Sequence, residues 1–180
     1  AYIVGDTQID TSDQDYPSDT ISNPLALNLY VLGFDTNRNL IAPNQALKEN
    51  IRTYLSNFRM LTDAINVKTA YIVNIAIDFE VVPRPNENSH EIILKCIARL
   101  KELLNVDRMQ INGPINRNEL ITELDKLDGV QSIPTLIIKN KAGGTYSKNA
   151  YDIEAATRYG IVYPSLDPCI FEVKFPDSDI

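Results

Sequence analysis

Val67-Lys68-Thr69-Ala70-Tyr71-Ile72-Val73-Asn74-Ile75-Ala76-Ile77-Asp78-Phe79-Glu80-Val81-Val82 carries the clearest period-two pattern in the chain. Successive side chains of a strand point to opposite faces, so Tyr71, Val73, Ile75, Ile77, Phe79 and Val81 share one face, while Asn74, Asp78 and Glu80 share the other. The stretch therefore reads as one long strand with a solvated polar face, able to serve as a central or bent strand. Pro83-Arg84-Pro85 ends it, because proline cannot donate to a strand ladder.

Working back from that strand, Leu25 to Phe34 reads as an earlier strand buried on both faces. Between the two, Pro43 stands just inside a helix start, where its missing N–H does no harm. The apolar positions Leu47, Ile51, Tyr54, Leu55 and Phe58 then fall on one side of a 3.6-residue helix and are expected to face the core. Working forward, Ser89 reads as the N-cap of a second helix whose stripe is Ile92, Ile93, Cys96, Ile97, Leu100, Leu103 and Leu104. A minor strand is expected over Arg108 to Asn112. Asn116 caps a third helix, with Glu119 as capping-box partner and Ile115 and Leu120 as hydrophobic staple; Leu120, Ile121, Leu124 and Leu127 form its buried face. Gly129 suits a left-handed C-cap, and Val130 to Ile138 returns as a strand in which Pro134 places a bulge or an edge.

The order strand, helix, strand, helix, helix, strand predicts an α+β fold: a two-layer sandwich of a mixed sheet with helices on one side and an extended C-terminal tail. Composition divides the chain into an acidic polar arm or linker over residues 1–24, an α+β body over 25–145 and an extension over 146–180 read as a subunit contact.

The chain has 180 residues, and its formal charge of -7 comes from 24 acidic against 17 basic side chains. A duplex nucleic acid would meet net repulsion, so no nucleic-acid partner is expected. No window holds the roughly 20 consecutive apolar residues of a membrane span, and no signal peptide is legible, so no membrane partner is expected. Cys96 and Cys169 are too far apart in sequence to suggest a disulfide framework or a metal knuckle. The opening at Ala1 rather than Met reads as a processed chain or a fragment.

The search for chemistry yields no catalytic residue, cofactor or metal site. His90, the only histidine, begins an amphipathic helix and reads as a surface or capping residue. Cys96 and Cys169 read as packing residues. Gly143-Gly144 matches neither phosphate-loop spacing and reads as a hairpin turn. Asp78 and Glu80 point the same way, but paired charges are ordinary on a solvated strand face. The acidic arm lacks the ligand order of an EF-hand.

The aromatic, proline-punctuated end from Tyr151 to Pro176 is the informative stretch for function. Its apolar groups need burial, either as an edge strand on the chain's own domain or against a neighbouring subunit. In the second case Tyr163, Pro164, Leu166, Phe171, Val173 and Phe175 are the interface residues, with Tyr163, Phe171 and Phe175 as the aromatic anchors.

Several strings are similar to the baseplate J-like proteins of contractile-tailed phages. They are Asn28 to Gly33, Leu47 to Leu55, Phe58 to Thr62, Val67 to Phe79, and the helix-to-strand junction Leu127 to Ile133. The tail Tyr163 to Pro176 resembles the C-terminus of the larger wedge protein that forms the central baseplate ring. The resemblance implies a virion protein without enzymatic activity, located in the phage tail baseplate and assembled in the host cytoplasm. Its copies would link to each other and to other baseplate wedge proteins around the tail hub. It also implies a longer parent chain. The alternative is a small ferredoxin-like ligand-binding or regulatory module, and an enzyme ranks third because no polar cluster is available to build a cleft.

Overall fold

The computed structural model describes residues 1–5, 26–58 and 64–180. In chain order the elements are β1 (Tyr2–Gly5), β2 (Ala26–Val31), β3 (Gly33–Phe34), β4 (Leu40–Ile41), α1 (Gln45–Ser56), β5 (Ala64–Thr69) and β6 (Tyr71–Pro83). They continue with α2 (Ser89–Leu103), β7 (Ile115–Asn116), α3 (Arg117–Asp125), β8 (Val130–Lys141), α4 (Ile153–Ala156), β9 (Thr157–Arg158), β10 (Ile161–Val162) and β11 (Cys169–Glu172). The class is α+β, as expected, with the strands shared among several small sheets. The chain forms two compact units, Ala1–Tyr71 with Ser165–Cys169, and Ile72–Pro164 with Ile170–Ile180.

The first unit holds a mixed sheet of order β1-β2-β5, in which β2 runs antiparallel to β1 and parallel to β5. Of the acidic arm, only the first five residues are described, and Tyr2–Gly5 pair as a strand; the remainder lies outside the described residues. The expected single strand from Leu25 to Phe34 is divided into β2 and β3, and β3 pairs antiparallel with β4. Leu25 also lies outside the described residues.

Two expectations for α1 are corrected. Asn44 is the N-cap, its side chain accepting from the backbone N–H of Leu47, so Pro43 precedes the cap instead of opening the helix. The apolar stripe does not face a core either: no α1 residue is buried, and Tyr54 and Phe58 are 64% and 71% exposed. Gln45, Lys48, Glu49 and Arg52 line a cleft of about 180 Å³ together with Ile65, Asn66 and Val67 of β5, and the half-buried positions of the helix are Lys48, Ile51 and Leu55.

The deciding stretch is broken at Ala70 into β5 and β6. The physical reason is a change of partner: Ala64–Thr69 pair with β2, whereas β6 pairs antiparallel with β8 in a separate sheet of order β11-β6-β8. The expected solvated face of β6 holds only at its far end, where Asp78 and Glu80 are exposed. From Val73 to Ile77 every residue is buried, Asn74 included.

The second unit is built around that sheet. Ile92, Cys96 and Leu100 of α2 and Leu120 and Leu124 of α3 are buried, and each such side chain contributes about 1.5–3 kcal/mol before entropy is subtracted. Asn88, not Ser89, caps α2 by accepting from the N–H of His90 at 3.1 Å. Asn116 caps α3 as expected, accepting from the N–H groups of Asn118 and Glu119. Residues 108–112 form turns and not a strand. Gly129 has φ +91°, and the ladder shifts register between Glu80 and Pro83, opposite the stretch of β8 that holds Pro134. Val130 opens β8, which runs on to Lys141, beyond the expected end at Ile138. Gly143 and Gly144 both take positive φ in a turn after β8, without a strand closing it into a hairpin.

Candidate assembly surfaces

Tail residues 151–164 fold locally for legible reasons. Asp152 caps α4 by accepting from the N–H of Ala155 at 3.0 Å. The chain then passes through β9, turns at Tyr159-Gly160, and returns as β10 between β9 and β7 in a three-stranded sheet. Val162 and Ile115, paired across β10 and β7, are both buried and anchor this sheet to the core. Tyr151 donates from its hydroxyl to the Tyr163 carbonyl at 2.7 Å, and the Tyr163 N–H donates to the Ala156 carbonyl.

The expected interface residues separate into two groups. Phe171 is 1% exposed and lies 5.9 Å from the Tyr151 ring; Val173 is buried as well. Cys169–Glu172 are all buried and form β11 beside β6, so this part of the tail takes the edge-strand reading. Phe171 and Val173 are thereby corrected from interface residues to core residues, because their apolar surface is already removed from solvent within their own chain. Phe175 is partly covered, with the Tyr146 ring edge-on at 5.5 Å and the Lys174 ammonium 5.7 Å from its centroid. Pro164 is half-buried, whereas Tyr163 is exposed. Leu166, which belongs to the first unit, is 74% exposed.

Beneath β11 lies a polar arrangement that period-two reading placed in solvent. The Asn74 amide donates to Glu172 Oε2 at 2.7 Å, and its Oδ1 accepts from the Ser147 N–H at 2.7 Å. Asn140 donates to the Asn74 carbonyl and accepts from the Tyr151 N–H. These bonds tie the loop after β8 to β6. Near the end of the chain, the buried Asp179 accepts from the Tyr146 hydroxyl at 2.8 Å, and its carbonyl accepts from the Ile77 N–H at 2.7 Å. The bond to Asp179 holds the Tyr146 phenol above its ordinary pKa.

Two exposed features depart from the sequence reading. One is the aromatic pair Tyr54 and Phe58, expected to face the core, whose rings lie 5.1 Å apart on α1 and just beyond its end. The other is Tyr159, 95% exposed with φ +54°. Only Gly160 signalled a turn there, because Tyr-Gly is not one of the dipeptides that mark a two-residue hairpin loop.

Among the described residues no set of three or more His, Cys, Asp or Glu side chains is placed to hold a metal ion. Burial pushes the Cys96 and Cys169 thiols up, away from the reactive thiolate. His90 is exposed in the capped first turn of α2, and Asp78 pairs with Lys139. No helix among the described residues is long and apolar enough to cross a membrane.

No protein-family model and no curated protein matches the chain. Among solved structures, the chain is similar to one in the cryo-EM structure of the anti-feeding prophage (AFP) baseplate, 6-fold symmetrised, with 14% identity and a TM-score of 0.52. The match covers 82% of this chain and 29% of the other. The α+β arrangement described above is thus a fold that also occurs in a baseplate component.

Proposed function

We propose that this chain is a non-enzymatic structural subunit of a contractile-tail baseplate, located in the virion tail and built into the assembly by contacts with copies of itself and with other baseplate proteins. The observation that carries the reading is the shared fold with a chain of the AFP baseplate. The strings that resemble baseplate J-like proteins point the same way and suggest the wedge, where copies link into a ring around the hub. A closed ring needs two different patches on each subunit, so that one copy's first patch meets the next copy's second. The exposed apolar groups Tyr163, Phe175 and Leu166, the last in a different unit from the first two, are suited to such contacts; the half-buried Pro164 has less free surface to offer.

The test is light scattering coupled to size exclusion on the wild-type chain and on Tyr163→Glu and Leu166→Glu, each a change of an exposed side chain. Self-association of the wild type that weakens in either variant, with the fold retained, supports the reading. A wild-type monomer that also fails to bind any other baseplate component overturns it.

A further inference from the structure

The residues that follow β11 form no strand, and past Val173 the one that is deeply buried is an aspartate. Lys174 is half-buried, Phe175, Pro176, Asp177 and Ser178 are exposed, and Asp179 is 3% exposed. A carboxylate taken out of water is costly unless its oxygens accept hydrogen bonds, so the partners of Asp179 decide whether this segment stays seated. Both oxygens are used. Oδ1 accepts from the Tyr146 hydroxyl at 2.8 Å, which reaches the turn after β8, and Oδ2 accepts from the Phe175 N–H at 3.1 Å. The Asp179 N–H donates to the Phe175 carbonyl at 2.9 Å and closes a tight turn over Pro176 and Asp177. The Asp179 carbonyl accepts from the Ile77 N–H at 2.7 Å, one rung along β6 beyond the cover that β11 gives it.

The remaining ties lie near the surface. Lys101 of α2 pairs with Asp177, whose side chain is 96% exposed; Lys174 donates to the Thr145 carbonyl; and the Phe175 ring meets the Tyr146 ring edge-on. An exposed ion pair of this kind contributes little and is screened by salt. β11 and the segment after it are thus held by different forces. Cys169–Glu172 and Val173 are buried, and Phe171 anchors them by apolar contact. Residues 174–180 bury little apolar surface and depend on one polar knot. Local opening is easiest where buried apolar contact is scarce, so the second segment can let go while the first stays in place.

We propose that residues 174–180 form a strap latched by Asp179, which opens independently of the rest of its unit and in doing so uncovers the Ile77 rung of β6 and the facing rings of Tyr146 and Phe175. The inference does not depend on the assembly reading, because every group in it belongs to one compact unit of one chain.

The experiment is native-state hydrogen exchange of the full chain, read amide by amide with NMR at rising concentrations of denaturant below the unfolding transition. The reporters are the Ile77 and Asp179 amides of the strap, with the Leu100 and Leu124 amides of the buried helix faces for comparison. An independently opening strap exchanges about a hundredfold faster or more than the two helix amides, after correction for intrinsic rates, and with little dependence on denaturant, because a small opening exposes little surface. Tyr146→Phe keeps the ring against Phe175 and removes only the hydroxyl, touching neither partner of the Ile77–Asp179 bond. In this variant both strap amides exchange about tenfold faster still, the worth of one hydrogen bond to a charged group, and their weak dependence on denaturant is unchanged. If the strap amides in the wild type match Leu100 and Leu124 in protection and in denaturant dependence, the segment opens only with the whole unit and the proposal is overturned. Unchanged exchange of Ile77 and Asp179 in Tyr146→Phe overturns Asp179 as the latch.

Discussion

Phe171 and Leu166 belong to the same tail and have opposite surroundings, the first 1% exposed and the second 74%. Phe171→Ala is therefore expected to lower stability by about 3–5 kcal/mol, through lost transfer energy and an unfilled cavity. Leu166→Ala should change it by no more than about 0.5 kcal/mol. Urea unfolding midpoints read both, and equal effects would contradict the assignment of the tail to core and surface. Asn74 makes a second residue-scale case. Asn74→Ala removes the amide that donates to the buried Glu172 and the acceptor of the Ser147 N–H, and should cost about 3 kcal/mol or more. Glu172→Gln, which keeps an acceptor oxygen, should cost less. Alternation alone placed Asn74 in solvent, because nothing in a strand's own sequence states that a tail from far along the chain will cover its second face.

At the level of elements, the local codes were the most legible. Asn116 caps α3, Gly129 takes φ +91°, and the Ile92–Cys96–Leu100 stripe is buried, each decided by neighbours in sequence. Gly129→Ala should destabilise the protein by about 1–2 kcal/mol, since an added Cβ would sit 3.0 Å from Ile92 Cδ1 at a backbone angle that side chains avoid. Thermal unfolding measures it, and an unchanged midpoint would contradict the strained-turn account. α2 and α3 are further clasped by Glu123, which accepts from Arg99 and Lys126. Lys126 first and Arg99 second hold the Glu123 carboxyl down at about 2. A folded pKa below the unfolded value of about 4.3 adds stability that is fully present above that pH and is lost as pH falls toward the folded value. Glu123→Gln should therefore flatten the stability profile between about pH 4.5 and pH 2, as read by chemical denaturation across pH. An unaltered slope in that window would count against the clasp. What was not legible at this scale was the orientation of α1. Its stripe has helical periodicity, but periodicity says only that one face is apolar and not what that face meets.

For the whole molecule, the α+β class followed from the order of elements, while the division of strands among sheets did not. The stretch from Val67 to Val82 reads as one strand because its pattern is continuous, yet Ala70 is where its partner changes from β2 to β8. Pairing partners are long-range facts, chosen by the rest of the chain. The tail shows the same limit: Phe171 and Tyr163 are both aromatic residues among prolines, and only the fold assigns one inward and the other outward. β11 lies beside β6, so deleting residues 169–180 should abolish cooperative unfolding instead of releasing a folded monomer. Point changes at exposed positions are for that reason the informative way to question assembly. The central claim is that exposed tail positions join one copy to another, and a photo-crosslinking amino acid placed at Leu166 and at Tyr163 tests it most directly. The account predicts a crosslinked dimer from both positions and none from the exposed Leu94 of α2; crosslinking absent at 166 and 163, or no stronger there than at 94, would contradict it.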